Sequence, residues 1–134
     1  KDNLKICLIE DDESLRFTVK EILEKQNVQI MEAENGKVGM NILQNEEIKP
    51  DLILLDLMMP VMNGFEFLKA IRETELNSIP ILVLTGAELS GDEKTFLLGE
   101  TQRILEKSED TMSTIVNEVS NVIKASSFKN GDSK

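Results

Sequence analysis

The chain has 134 residues, 40% hydrophobic and 30% charged, enough for one domain with its own core. Its formal charge is −10, spread along the chain, and it holds one Cys and no His, Trp or Tyr. These figures argue against a basic nucleic-acid-binding face and exclude His-based catalysis, His metal ligation and an internal disulfide. With so few aromatics the core is expected to be Leu, Ile, Val and Met. The acidity by itself reads as solubility. Cys7 falls in an apolar run and reads as a small core residue in a reducing compartment, which points to the cytoplasm. No apolar run reaches the ~18 residues of a membrane span, and no signal peptide is visible. A first residue of Lys1 rather than Met is expected of an excised or processed piece.

Short apolar runs alternate with amphipathic stretches, which predicts βα units and a parallel sheet. Leu4 to Ile9 reads as the first strand. Glu13 to Lys25 reads as the first helix, with Leu15, Val19, Ile22 and Leu23 on one face. Asn27 to Ala33 is a second strand. Gly36 to Asn45 is a second helix carrying Val38, Ile42 and Leu43. Pro50 precedes a third strand, Leu52 to Leu55. Gly64 opens a third helix with Phe65, Phe67, Leu68 and Ile71 as its apolar positions. Pro80 opens a fourth strand, Ile81 to Leu84. Ser90 to Leu98 reads as a fourth helix, short or irregular, and Gln102 to Leu105 as a brief fifth strand. Asp110 to Ala125 reads as a fifth helix, where Met112, Ile115, Val116, Val119, Val122 and Ile123 recur at helical spacing. The domain therefore spans 1–125, and 126–134 reads as a polar tail or linker.

Five βα units in this order fit a doubly wound sheet. The strand ends then bring Glu10-Asp11-Asp12, Asp56, Thr85 and Lys107 to one edge, where ligands bind in such sheets. Asp56 is the most informative of them, because a charge directly after the apolar run Leu52-Ile53-Leu54-Leu55 is costly unless paired, metal-bound or wet. Several carboxylates at one edge repel unless a cation sits among them. Oxygen donors without His or Cys suit Mg²⁺, with Mn²⁺ as a substitute. Lys107 supplies an ammonium, Thr85 a hydroxyl, and the Gly86-Ala87 amides room for an anion. Together the parts describe phosphoryl transfer onto a carboxylate, with Asp56 attacking in line. Each part alone has a plainer reading. Asp11-Asp12 can cap a helix, Thr85 a turn, Lys107 can be a solvated charge, and the run from Asp56 through Pro60 to Asn63-Gly64 can be an ordinary turn.

On the acidic pair Asp11-Asp12, the Asp56 segment with Pro60 and Gly64, Thr85 and Lys107, residues 4 to 125 resemble the receiver domain of two-component response regulators. The resemblance implies a flavodoxin-like (βα)5 fold with strand order 2-1-3-4-5. It also implies a module that takes a phosphoryl group onto itself rather than an enzyme turning over a separate substrate. Asp56 would be the acceptor, supplied from a phosphohistidine on a sensor histidine kinase or histidine phosphotransfer domain. Asp11, Asp12 and Asp56 would hold Mg²⁺, with the Met58 backbone carbonyl as a further ligand. Thr85 and Lys107 would bind the arriving phosphoryl group. Output, or homodimerisation, would use the face of helix four, strand five and helix five.

The chain departs from that family at several positions. Ile104 stands where an aromatic is usual, which bears on a Thr–aromatic switch. Ser108 follows the lysine in place of Pro, which disfavours a cis peptide before it. Leu98-Gly99-Glu100-Thr101 replaces a Gly-Ala-Asp-Asp run, and Arg103 to Ser108 looks similar to receivers of hybrid sensor histidine kinases. Met58 and Ala87, neither acidic, flank the acceptor and predict slow autodephosphorylation. The runner-up is a non-phosphorylated scaffold or dimerisation module of the same fold. An aspartyl-phosphate phosphatase would need a second Asp where Met58 stands. No Gly-rich phosphate loop follows the first strand. With no output domain in view, the chain reads either as a stand-alone receiver or as part of a longer protein.

Overall fold

A computed structural model of the chain describes residues 4–45, 47, 49–86, 88–107 and 112–121. Five strands, β1 (Leu4–Ile9), β2 (Val28–Ala33), β3 (Leu52–Asp56), β4 (Ile81–Thr85) and β5 (Arg103–Glu106), alternate with helices α1 (Glu13–Glu24), α2 (Gly36–Asn45), α3 (Gly64–Arg72) and α4 (Gly91–Glu100). A fifth helix, α5, is described over 112–121. The strands form one parallel sheet in the order β2-β1-β3-β4-β5. This is the flavodoxin-like doubly wound architecture expected from the alternation of runs.

Strand residues alternate between two cores, which explains why β1, β3 and β4 are apolar without interruption. Cys7, Ile9, Ile53, Leu55, Ile81 and Val83 face the side covered by α2, α3 and α4, through Leu43, Phe67, Leu68 and Leu97. Ile6, Leu8, Leu52, Leu54, Leu82 and Leu84 face the other side, where Val19 and Leu23 of α1 and Ile115 and Val119 of α5 pack. Burial pushes the Cys7 thiol up to about 12, so it is inert packing.

The helix starts are set by side chains. Asn63 and Ser90 each form a reciprocal capping box, with Glu66 and Glu93 respectively. The element bounds differ slightly from those read in the sequence. Strands β3 and β4 each run one residue further, onto Asp56 and Thr85, because both polar residues continue the ladder. Strand β5 starts at Arg103 and ends at Glu106, and α4 continues to Glu100. A 3₁₀ turn at Glu75–Ser78, capped by the Thr74 hydroxyl and with Leu76 buried, was not anticipated. Helix α4, expected to be short or irregular, is a regular ten-residue helix with only a weak apolar face. Only Leu97 is fully buried, while Leu98 stays exposed. A second hold comes from α3, where the Arg72 guanidinium lies 5.6 Å from the Phe96 ring centre and pairs with Glu100 at 2.7 Å. Ala87, Ser108 and its preceding peptide, the expected helix start at Asp110, and the 126–134 tail lie outside the described residues.

Candidate functional site

Register decides which carboxylates meet. Ile9 pairs with Leu55 in the β1–β3 ladder, so the next residues, Glu10 and Asp56, stand side by side. Both are buried, Glu10 at 0% exposure and Asp56 at 1%. Asp11, the exposed member, completes a group in which one carboxylate oxygen from each residue lies within 4.8 Å of the others.

Lys107 closes the group from just past β5. Its backbone N–H donates to the Thr85 carbonyl at 2.8 Å, which fixes the residue beside β4. Its Nζ lies 3.1 Å from Glu10 Oε1 and 3.2 Å from Asp56 Oδ1. One ammonium therefore faces two buried carboxylates. Burial and the charge of Glu10, with a hydrogen bond to Asp11, push the Asp56 carboxyl up from 3.8 to about 7, and Lys107 opposes that rise. Burial lowers the Lys107 pKa, but the two carboxylates outweigh it, so the net shift is upward.

The loop after Asp56 is shaped by its backbone. Met58 N–H approaches Asp56 Oδ1 at 3.4 Å, and the Met58 side chain is exposed. Val61 has φ of 70°, a left-handed conformation unfavourable for a β-branched residue, and Met62 N–H bonds back to Pro60 O at 2.7 Å. Gly64 is obligatory for close approach. A Cβ there would sit 2.7 Å from Leu57 Cα and 2.8 Å from Asp56 O, while its N–H donates to Leu57 O.

Of the residues singled out in the sequence, Asp56, Asp11, Thr85 and Lys107 converge at this edge, and Met58 stands two residues past the end of β3. Asp12 does not join them. Its Oδ1 accepts the Leu15 N–H at 3.1 Å and caps α1. The expected carboxylate set therefore shifts from Asp11, Asp12 and Asp56 to Glu10, Asp11 and Asp56. The cause is that the side chain directly after Ile9 is the one that pairs beside Asp56. Counting from the ends of the two apolar runs gives the same answer: Glu10 follows Ile9 as Asp56 follows Leu55. Ile104 is half-buried and lines an open groove with Thr85, Leu89, Leu98 and Lys107.

The donor set fits a hard divalent cation. Asp56 Oδ2 is buried with no hydrogen-bond partner, within a group of three carboxylates that one ammonium balances only in part.

Fold and site together define a parallel α/β module whose acidic centre lies at the carboxyl ends of its central strands. A family model described as the response regulator receiver domain matches residues 6–120. The chain belongs to that family, the receiver domains of two-component systems. It is 38% identical over 85 residues to the transcriptional regulatory protein CpxR of Escherichia coli K12, which covers 63% of this chain and 35% of that protein. The chain thus spans about a third of the length of that curated relative. It is 34% identical over 99 residues to hybrid signal transduction histidine kinase I of Dictyostelium discoideum, covering 69% of this chain and 6% of the kinase. Among solved structures, the Mn²⁺-bound form of response regulator Rcp1 is similar at TM-score 0.75 and 27% identity, covering 87% of this chain and 91% of that one. Among the described residues no helix is long and apolar enough to cross a membrane.

Proposed function

We propose that this receiver domain accepts a phosphoryl group on Asp56 from the phosphohistidine of a sensor histidine kinase or histidine phosphotransfer domain. The observation that carries the reading is the buried Asp56 itself. It ends an apolar strand, has one unpartnered oxygen, and stands beside Glu10, Asp11 and Lys107. In the transfer an Asp56 oxygen forms a bond to phosphorus while the phosphorus–nitrogen bond of the donor breaks. The departing imidazole keeps the electron pair and takes up a proton. The chain contains no His, so the donor comes from another domain or another molecule.

Glu10, Asp11 and Asp56, with the Met58 carbonyl, form the proposed Mg²⁺ site. The Mn²⁺-bound relative supports a divalent ion, and the all-oxygen donor set supports Mg²⁺ in particular. When bound, the ion neutralises charge on the transferring group. Lys107 holds Asp56 in place and then meets the phosphoryl oxygens, and the Thr85 hydroxyl donates to them. Asp12 is committed to its helix cap and has no part in this scheme. Output, and homodimerisation if it occurs, is assigned to the α4–β5–α5 face, where exposed Leu98 and half-buried Ile104 border the groove that reaches Thr85. We assign the reaction to the cytoplasm, because a lone buried thiol fits a reducing compartment.

Intact-mass spectrometry after incubation with acetyl phosphate and Mg²⁺ tests the proposal. One phosphoryl adduct that requires Mg²⁺ and is absent in Asp56→Asn is the expected result. If the wild type gains no adduct and beryllofluoride with Mg²⁺ also fails to bind, the reading fails. The chain is then a receiver-like scaffold.

A further inference from the structure

Arg16 contacts the acidic edge in a way that neither strand pairing nor the proposed transfer uses. Its Nη1 donates to the Glu10 carbonyl oxygen at 2.7 Å, and its Nε pairs with Glu32 Oε1 at 3.1 Å. The side chain is only 16% exposed, although it projects from the first turns of α1. Glu32, on the edge strand β2, is also held by Lys20 at 3.2 Å.

The Glu10 carbonyl belongs to the peptide that joins Glu10 to Asp11. Arg16 therefore grips the backbone between two of the three clustered carboxylates. The neighbouring peptides are fixed too. Glu10 N–H donates to Ala33 O at 3.0 Å, and Asp12 N–H donates to Glu10 Oε2 at 3.0 Å. Like charges held this close push apart, and Asp11, the exposed member, has the most freedom to swing outward. A planar guanidinium holds a carbonyl and a carboxylate at once in a fixed fork, whereas an ammonium carries its three donors on one small centre at the end of a flexible stem.

We propose that Arg16 is a positioning residue for the acidic site. By holding the Glu10–Asp11 peptide it keeps both carboxylates turned toward Asp56 at a spacing one divalent cation can bridge. Glu32 orients Arg16 for that task. The inference rests on the metal-binding reading above.

Mn²⁺ titration followed by the EPR signal of the free ion tests it on the whole chain, with a thermal melt of each variant to show that it is folded at the titration temperature. Arg16→Met is expected to weaken Mn²⁺ binding about tenfold, the scale typical of partners that orient metal ligands. Arg16→Lys should recover part of the loss. Glu32→Gln should weaken binding in the same direction but by less. Lys20→Met, which removes the other cation on Glu32 without touching Glu10, should bind as the wild type does. A merely structural role would lower the melting temperature and leave the affinity unchanged. If Arg16→Met does not fold, Arg16→Lys and Glu32→Gln carry the test. Wild-type affinity in every folded Arg16 and Glu32 variant overturns the positioning role. A wild type that binds no Mn²⁺ overturns the metal reading beneath it and this role with it, so the two failures are distinguishable.

Discussion

Replacing Asp56 with Asn removes a charge from a buried site and should stabilise the protein in a pH-dependent way. In the folded chain the Asp56 carboxyl is raised from 3.8 to about 7. The folded state therefore holds this proton more tightly than the unfolded chain does. The group costs nothing well below pH 3.8, where both states are protonated. The cost grows as pH rises toward 7 and is constant above it. At about 1.4 kcal/mol for each pH unit of difference, the full cost is on the order of 4 kcal/mol. Near pH 4.5 only about 1 kcal/mol of that is felt, so the advantage of Asp56→Asn should grow by about 3 kcal/mol between pH 4.5 and pH 8. Urea unfolding of both proteins without divalent ions at the two pH values measures this. A saturating divalent ion should close much of the gap at the higher pH, since an ion at one hundred times its dissociation constant adds about 2.7 kcal/mol to the wild type. An advantage of equal size at both pH values would refute the reasoning, because a buried carboxylate with an ordinary pKa costs the same at each.

Three positions in the loop after Asp56 give further expectations. Gly64→Ala should destabilise the fold by at least about 2 kcal/mol in chemical denaturation, because its Cβ meets backbone atoms of Leu57 and Asp56 that cannot step aside. The same variant should accept phosphate from acetyl phosphate more slowly. Val61→Asn should stabilise by about 1 kcal/mol, since Asn tolerates the left-handed backbone that Val resists; an unchanged midpoint would show that the loop relaxes freely. The phosphorylated wild type should lose its adduct slowly in a mass-spectrometric time course, because Met58 offers no group to orient water, and Met58→Asn should shorten the lifetime by about tenfold.

Much of the architecture is local in origin and therefore readable from the chain. Buried parallel strands announce themselves as unbroken apolar runs, and the helices carry their own caps at Asp12, Asn63 and Ser90. Asp56 and Thr85 are identifiable because each follows such a run, and Lys107 because it stands two residues past the short apolar pair Ile104-Leu105. The choice between Glu10 and Asp12 is legible only by counting residues from the ends of the two apolar runs. Three acids in succession look alike until the β1–β3 register turns one inward and leaves another on the helix end. The Arg16 tether is hidden for a related reason. It joins α1, the β1 end and β2, and no local spacing reports a contact across three elements. The 3₁₀ turn at Glu75–Ser78 rests on a threonine cap and one buried leucine, too short a signal to separate from a loop.

Helix α4 is secured by one fully buried leucine and by the hold of Arg72 on Phe96 and Glu100, whereas β1, β3 and β4 lie sealed between two layers. Its backbone amides should therefore exchange with deuterium well ahead of those in the central strands. Lifting this helix uncovers Leu97 and the partly buried Phe96, whereas opening the sheet uncovers both cores. A change of charge at the carboxyl ends of the strands is therefore expected to move α4, and with it the proposed output face, before it moves the strand that carries Asp56.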